Sequence, residues 1–152
     1  MYARNRVQAY RQSESAAVHP VKLIHMIYER VLTHLAYAEE AVVANDPLRR
    51  GENLSKAIAL ISELNAAVNP KDESEAAAFL RGLYGAIMVE LPKVAINNDA
   101  EILRQAARYI AELKKVWEET AMQESGVLAE KKAAMQPSQE AKAKMTPVSV
   151  SI

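Results

Sequence analysis

The sequence predicts an all-α fold: an antiparallel up-down four-helix bundle with an N-terminal arm and a short or disordered C-terminal segment. Three observations carry this. Glycine and proline are scarce, at 4 and 6 of 152 residues, while alanine occurs 27 times, a balance that favours helix. Strictly alternating β-branched runs are nearly absent. Four stretches repeat apolar residues every three or four positions, with short breakers between them.

The arm, residues 1–18, is polar. It carries Arg4, Arg6 and Arg11, with Tyr2, Val7 and Tyr10 as isolated apolar residues. The bundle spans 19–122. Its first helix starts near Pro20, which suits a first helical turn because the missing N–H would be unbonded there anyway. Ile24, Ile27, Tyr28, Val31, Leu35, Ala38 and Val42 share one face, with His25 at its edge. Asn45-Asp46-Pro47 closes this helix and opens the second, with Asp46 as N-cap and Pro47 at the first position. The second helix runs to about Val68 on a stripe of Leu54, Ala57, Ile61, Leu64 and Val68. Ile58 and Leu60 flank that stripe on opposite sides, and Asn69-Pro70 stops the helix.

The third helix starts near Asp72-Glu-Ser-Glu75, which has capping-box spacing. Leu80, Leu83, Tyr84, Ile87, Leu91 and Val94 form its core stripe. Pro92 should kink it or end its regular part, because proline removes one hydrogen bond and crowds the carbonyl four residues back. The fourth starts at Asn98-Asp-Ala-Glu101, again with capping-box spacing, and places Ile102, Ala106, Tyr109, Ile110, Leu113, Val116 and Trp117 on one face. The pattern fades after about Met122. Residues 123–152 form a tail in which Gly126 to Met135 could be a short helix and the part after Pro137 is expected to be disordered.

Composition narrows the function. Nineteen basic residues balance nineteen acidic ones, which disfavours a broad electrostatic grip on nucleic acid or anionic membrane. The absence of cysteine excludes thiolate metal sites, disulfide scaffolds and cysteine catalysis. No apolar run approaches the ~18–20 residues of a membrane span, and the N-terminus lacks a secretory stretch, so a cytoplasmic protein without membrane insertion is expected. Neither a catalytic residue nor a cofactor is expected. A di-metal bundle site would need Glu-x-x-His pairs, and none is present. His25 and Glu29 have the spacing of ligands but read as a boundary histidine beside a solvated carboxylate. His34 likewise reads as a boundary residue rather than a base. His19-Pro-Val-Lys22 invites comparison with histidine phosphotransfer bundles, but Pro20 pushes His19 off the mid-helix geometry that chemistry needs.

The third helix carries the most informative pattern. Opposite its core stripe lie Ala78, Gly82, Gly85, Val89 and Ile96, spaced four, three, four and seven, where a simple bundle helix should be charged. Glycine in a helix interior costs roughly 0.5–1 kcal/mol relative to alanine, so two on one face need a compensating use, such as close approach of another helix. With the broad face of the second helix, this offers an apolar groove to an amphipathic client helix. The expected client-binding residues are Tyr2, Val7 and Tyr10 in a displaceable arm, Leu54, Ile58, Leu60 and Ile61 on the second helix, and Gly82, Gly85 and Val89 on the third. A self-associating adaptor, with the third helix pairing with its own copy, is the alternative alongside a phosphotransfer bundle.

The order and spacing of several motifs resemble the flagellar secretion chaperone FliS family over about residues 1–120. The motifs are Met1-Tyr2…Val7-x-Ala9-Tyr10; Pro20-x-Lys22-Leu23-Ile24-x-Met26-x-Tyr28-Glu29; Leu54-Ser55-Lys56-Ala57-x-x-x-Ile61-x-Glu63-Leu64-Asn65; Leu83-Tyr84; Asn98-Asp99-Ala100; and Trp117. The resemblance implies a cytoplasmic helical bundle that binds the disordered C-terminal region of flagellin, prevents premature polymerisation and aids flagellar type III secretion. It implies that an N-terminal arm, matched here by Tyr2, Val7 and Tyr10, covers part of the client groove. It also implies the anti-sigma factor FlgM and components of the export apparatus as partners, for which the residues carry no separate signal. The chain departs from the family pattern at Gly85-Ala86, Val89-Glu90, Pro92 and Val94-Ala95.

Overall fold

A computed structural model describes residues 18–126. The expectations for the arm residues Tyr2, Val7 and Tyr10, and for the tail beyond Gly126, lie outside the described residues. The described residues fall into two compact units, Ile24–Val116 and the flanking pieces 18–23 with 117–126. Helix α1 spans Pro20–Val43, α2 Pro47–Ala67 and α3 Glu75–Glu90. A 3-10 turn at Leu91–Lys93 leads into the short α4, Val94–Asn97, and α5 covers Ala100–Trp117. A π-helical turn, Glu118–Met122, and the three-residue α6, Gln123–Ser125, follow.

Local chemistry sets most of these boundaries. His19 precedes α1, where its carbonyl accepts from Leu23 N–H and its Nδ1 from Val21 N–H. Asn45 closes α1 in the left-handed conformation (φ 55°), and Asp46 N–H reaches back to the Ala41 carbonyl. These are the features of a Schellman ending. Asp46 then caps α2 by accepting from Arg49 N–H at 3.1 Å, with Pro47 in the first turn. Pro92 ends the regular part of the third helix as expected, turning it into the 3-10 segment.

Two caps differ from the sequence expectation, each by one or two residues. Ser74 caps α3 by accepting from Ala77 N–H, and Asp72 instead accepts from Ser74 N–H in a turn. Adjacent short polar side chains compete for the same orphan donors, and the one reaching the third residue of the helix prevails. Asn98 ends α4 with φ 54°, leaving Asp99 to accept from Glu101 N–H at the start of α5. Gly126, expected to open a short helix, closes α6 at φ 77°.

Within Ile24–Val116 the helices run up and down, and polar ties mark their ends. Arg49 meets Glu40 at 3.0 Å across the α1–α2 turn. Arg81 donates to the carbonyls of Asn69 and Asp72 beside the α2–α3 turn. Arg50 donates to Asn98 Oδ1 and the Ala95 carbonyl. Arg104 meets Glu39 at 2.8 Å, tying the start of α5 to the end of α1. The core between them takes Ile27, Tyr28, Val31, Leu35 and Ala38 from α1, and Leu54, Ala57, Ile61 and Leu64 from α2. Tyr84, Ile87, Leu91 and Val94 enter from the third segment, and Leu103, Ala106 and Ile110 from α5. His25 is a correction: it stands at the edge of the α1 face but is only 3 % exposed, with Nδ1 3.2 Å from the Glu29 carboxylate. A buried imidazole needs such a partner. His34 is half-buried, and its Nδ1 lies 3.0 Å from Asn53 Oδ1.

In the other unit, the Trp117 indole N–H donates to the Val21 carbonyl at 2.8 Å, and Met122 is fully buried.

Candidate functional site

The inner and outer sides of α3 have different chemistry. Inside, the hydroxyls of Tyr84 and Tyr28 meet at 2.6 Å, and either can donate. Burial pushes both phenols above their ordinary values, so both stay neutral near pH 7. Each hydroxyl supplies the partner that the other needs in an apolar core.

Outside, the helix has almost no charge. From Ala76 to Val89 the only ionisable side chain besides the buried Tyr84 is Arg81, whose guanidinium is engaged by backbone carbonyls. At about 100° per residue, Gly85, Ala78, Val89, Gly82, Ala86, Phe79 and Leu83 sweep a continuous arc of roughly 160°. Phe79 is 63 % and Val89 65 % exposed, and Ile96 just beyond is 90 % exposed. Among the described residues, a Cβ added at Gly82 or Gly85 would meet nothing within 4 Å, so these glycines leave space beside the helix. A helix apolar on nearly every side is ordinarily enclosed. Among the described residues, this one is enclosed on one side only.

The arc continues into a groove of about 490 Å³ between α3 and α5. Leu83, Ala86 and Ile87 line it from α3, and Ile102, Ala106 and Tyr109 from α5. Glu90, Asp99, Glu101 and Gln105 form its polar rim. Two of its three carboxylates are paired with cations. Glu90 pairs with Lys93 at 2.7 Å, and Glu101 pairs with Arg104 at 2.9 Å and Arg108 at 2.7 Å. Arg108 and then Arg104 hold the Glu101 carboxyl below the usual range. Asp99 Oδ1 accepts from Glu101 N–H.

The expected binding residues separate into three groups. Gly82 and Val89 are exposed and Gly85 half-buried, together on the outer arc of α3. Ile58 and Leu60 are half-buried on α2. Leu54 and Ile61 are buried in the core. Sequence reasoning missed Phe79 and placed Ile102 and Tyr109 in the core, whereas both line the groove and Tyr109 is exposed. Val116, expected on the same core face, is also exposed. The apolar face of α5 is wider than the bundle covers, so its edge residues fall outside while Leu103, Ala106 and Ile110 fill the inside. The signal for Phe79 was its place seven residues before Ala86, on the same side of α3.

No group of three or more metal-ligating residues that could hold an ion occurs among the described residues, and no described helix is long and apolar enough to cross a membrane. Residues 3–125 match the family model described as flagellar protein FliS. Similar proteins include the flagellar secretion chaperone FliS of Bacillus subtilis, 28 % identical over 124 residues that cover 82 % of this chain and 92 % of the relative. That of Salmonella typhimurium is 28 % identical, covering 78 % and 92 %. That of Escherichia coli is 27 % identical, covering 82 % and 96 %.

Proposed function

This chain belongs to the FliS family of flagellar secretion chaperones, and from that premise we propose that it is a cytoplasmic, non-enzymatic export chaperone whose client is the C-terminal region of flagellin. The client seats as a helix along the outer arc of α3 and the adjoining α3–α5 groove. The carrying observation is the exposed outer face of α3 formed by Phe79, Gly82, Ala86 and Val89, none of which is charged. A flagellin end destined for a filament core is amphipathic and prone to associate. Sheathing it removes apolar area from water at roughly 25 cal/mol per Å², and the cost of ordering the client offsets much of that gain. The balance is a reversible grip that requires no nucleotide. Blocking premature polymerisation and handing the client to the export apparatus follow from it.

Titrating the full chain with a peptide from the C-terminal end of the host's flagellin tests this reading. A one-to-one complex with increased helicity is expected. Absence of binding at tens of micromolar, roughly −6 to −7 kcal/mol, would overturn it. Self-association through α3 is the second reading, favoured by the heptad-like spacing of Ala78, Gly82, Gly85 and Val89. It would appear as a concentration-dependent dimer in sedimentation that the peptide does not dissociate.

A further inference from the structure

Resting on that reading, we propose that Phe79 is the anchor that fixes where the client helix lies on α3, and that the client stripe meeting it is apolar and uncharged. Phe79 is the chain's single phenylalanine, and it stands 63 % exposed on an outer helix face rather than in the core. Its helical neighbours three, four and seven residues on are Gly82, Leu83 and Ala86, and four residues back stands Glu75 at the start of the helix. Gly82 contributes no side chain, and no described residue stands within 4 Å of where one would begin. Leu83 and Ala86 belong to the groove wall. The ring therefore stands over a low floor that slopes into the α3–α5 groove. An aliphatic side chain crossing that floor would pack against the ring on one side and enter the groove on the other. Aromatic residues at the centre of such a patch carry a disproportionate share of binding energy when they become desolvated.

Charge selects the chemistry of the occupant. Arg81, the one charged residue between Ala76 and Val89, is turned to the Asn69 and Asp72 carbonyls. Around the groove, Glu90 is neutralised by Lys93, and Glu101 by Arg104 and Arg108. Between Glu75 and Glu90, the carboxylates at the two ends of α3, a charged client side chain placed on the arc would lose its hydration without gaining a charged partner from that helix. The fitting occupant is thus an amphipathic helix whose contacting stripe is uncharged, and its association is governed by buried apolar area rather than electrostatic steering.

The test titrates the flagellin C-terminal peptide into the full-length chain and its Phe79→Ala, Phe79→Leu and Val43→Ala variants, at low and high salt. Val43 is the control, an apolar residue 81 % exposed at the far end of α1. Phe79→Ala is expected to weaken binding at least ~10-fold. Phe79→Leu should retain most of the affinity, and Val43→Ala all of it. The wild-type dissociation constant should change less than ~2-fold with salt, since screening acts on exposed charges. Unchanged thermal midpoints in the same samples assign the loss to contact rather than folding. Gly82→Leu, which fills the floor beside the ring, should weaken binding as well. Wild-type affinity in Phe79→Ala, or a wild-type affinity that collapses with salt, overturns the anchor while leaving the chaperone reading intact. A wild-type chain that fails to bind the peptide overturns both.

Discussion

Helices α3 and α5 flank the same groove and each sends one side into the same core, yet they meet water differently. The outer side of α5 carries Glu101, Arg104, Arg108, Glu112 and Lys115. Arg104 bridges Glu101 and Glu39, Arg108 joins Glu101, and Arg108 also bonds Gln105. The outer side of α3 offers Phe79, Gly82, Ala86 and Val89. Amphipathicity is finished on α5 and left unfinished on α3. Folding alone needs only the inner sides, so the contrast separates the residues that hold the bundle from those that leave a surface for something else.

Substitutions can break or sharpen that contrast. The largest effect is expected inside. Leu103→Ala on α5 removes a fully buried side chain and should cost about 2–5 kcal/mol in denaturant unfolding. The comparable truncation outside, Val89→Ala on α3, should stay within about 0.5 kcal/mol. Equal losses at the two positions would erase the distinction between the faces. Next comes the inner side of α3. Tyr28→Phe strands the buried Tyr84 hydroxyl and should cost about 1–3 kcal/mol. The Tyr28→Phe/Tyr84→Phe double variant should recover much of this, because no orphan remains, and a double-mutant cycle measures the coupling.

A smaller effect, of opposite sign, is expected on the outer arc. Gly82→Ala adds a methyl group into open space and should stabilise the fold by about 0.5–1 kcal/mol. A loss of stability would mean that another part of the chain packs on that floor. The smallest effect belongs to α5's outer network. Arg104→Ala should lower stability slightly at low salt and not measurably at high salt. The pH dependence follows from Glu101, whose carboxyl is held below its usual range by Arg108 and Arg104. That contribution is present above the unfolded carboxylate value of about 4.3 and disappears as pH falls through the depressed folded value. A salt-insensitive Arg104→Ala loss would mean the side chain acts by packing instead.

Much of this architecture was legible because it depends on local chemistry. Asp46-Pro47 opens α2 and Pro92 breaks the third helix whatever surrounds them. The outer side of α3 between its terminal glutamates was likewise readable, since Gly82, Gly85 and Val89 stand where a solvated helix would carry charge. What was not legible depends on competition or on distant neighbours. Ser74 won over Asp72 and Asp99 over Asn98 because several short polar side chains could reach the same donors. His25 looked like an edge residue, and tertiary packing encloses it. The α3–α5 groove was missed because periodicity ranks residues on one helix without saying how far its neighbour stands away. For the same reason Ile102 and Tyr109 were placed in the core and Phe79 was overlooked.

The chain's lack of cysteine allows the central claim to be tested position by position. Single cysteines at Val89 and Gly82 on α3, and at Glu112 on the solvated side of α5, can be alkylated with and without saturating flagellin C-terminal peptide. The account predicts that the peptide slows labelling at 82 and 89 by ~10-fold or more and leaves position 112 unchanged, since a desolvated contact excludes the reagent. Equal labelling at all three positions in a complex known to have formed would show that the client binds elsewhere, and would contradict the account.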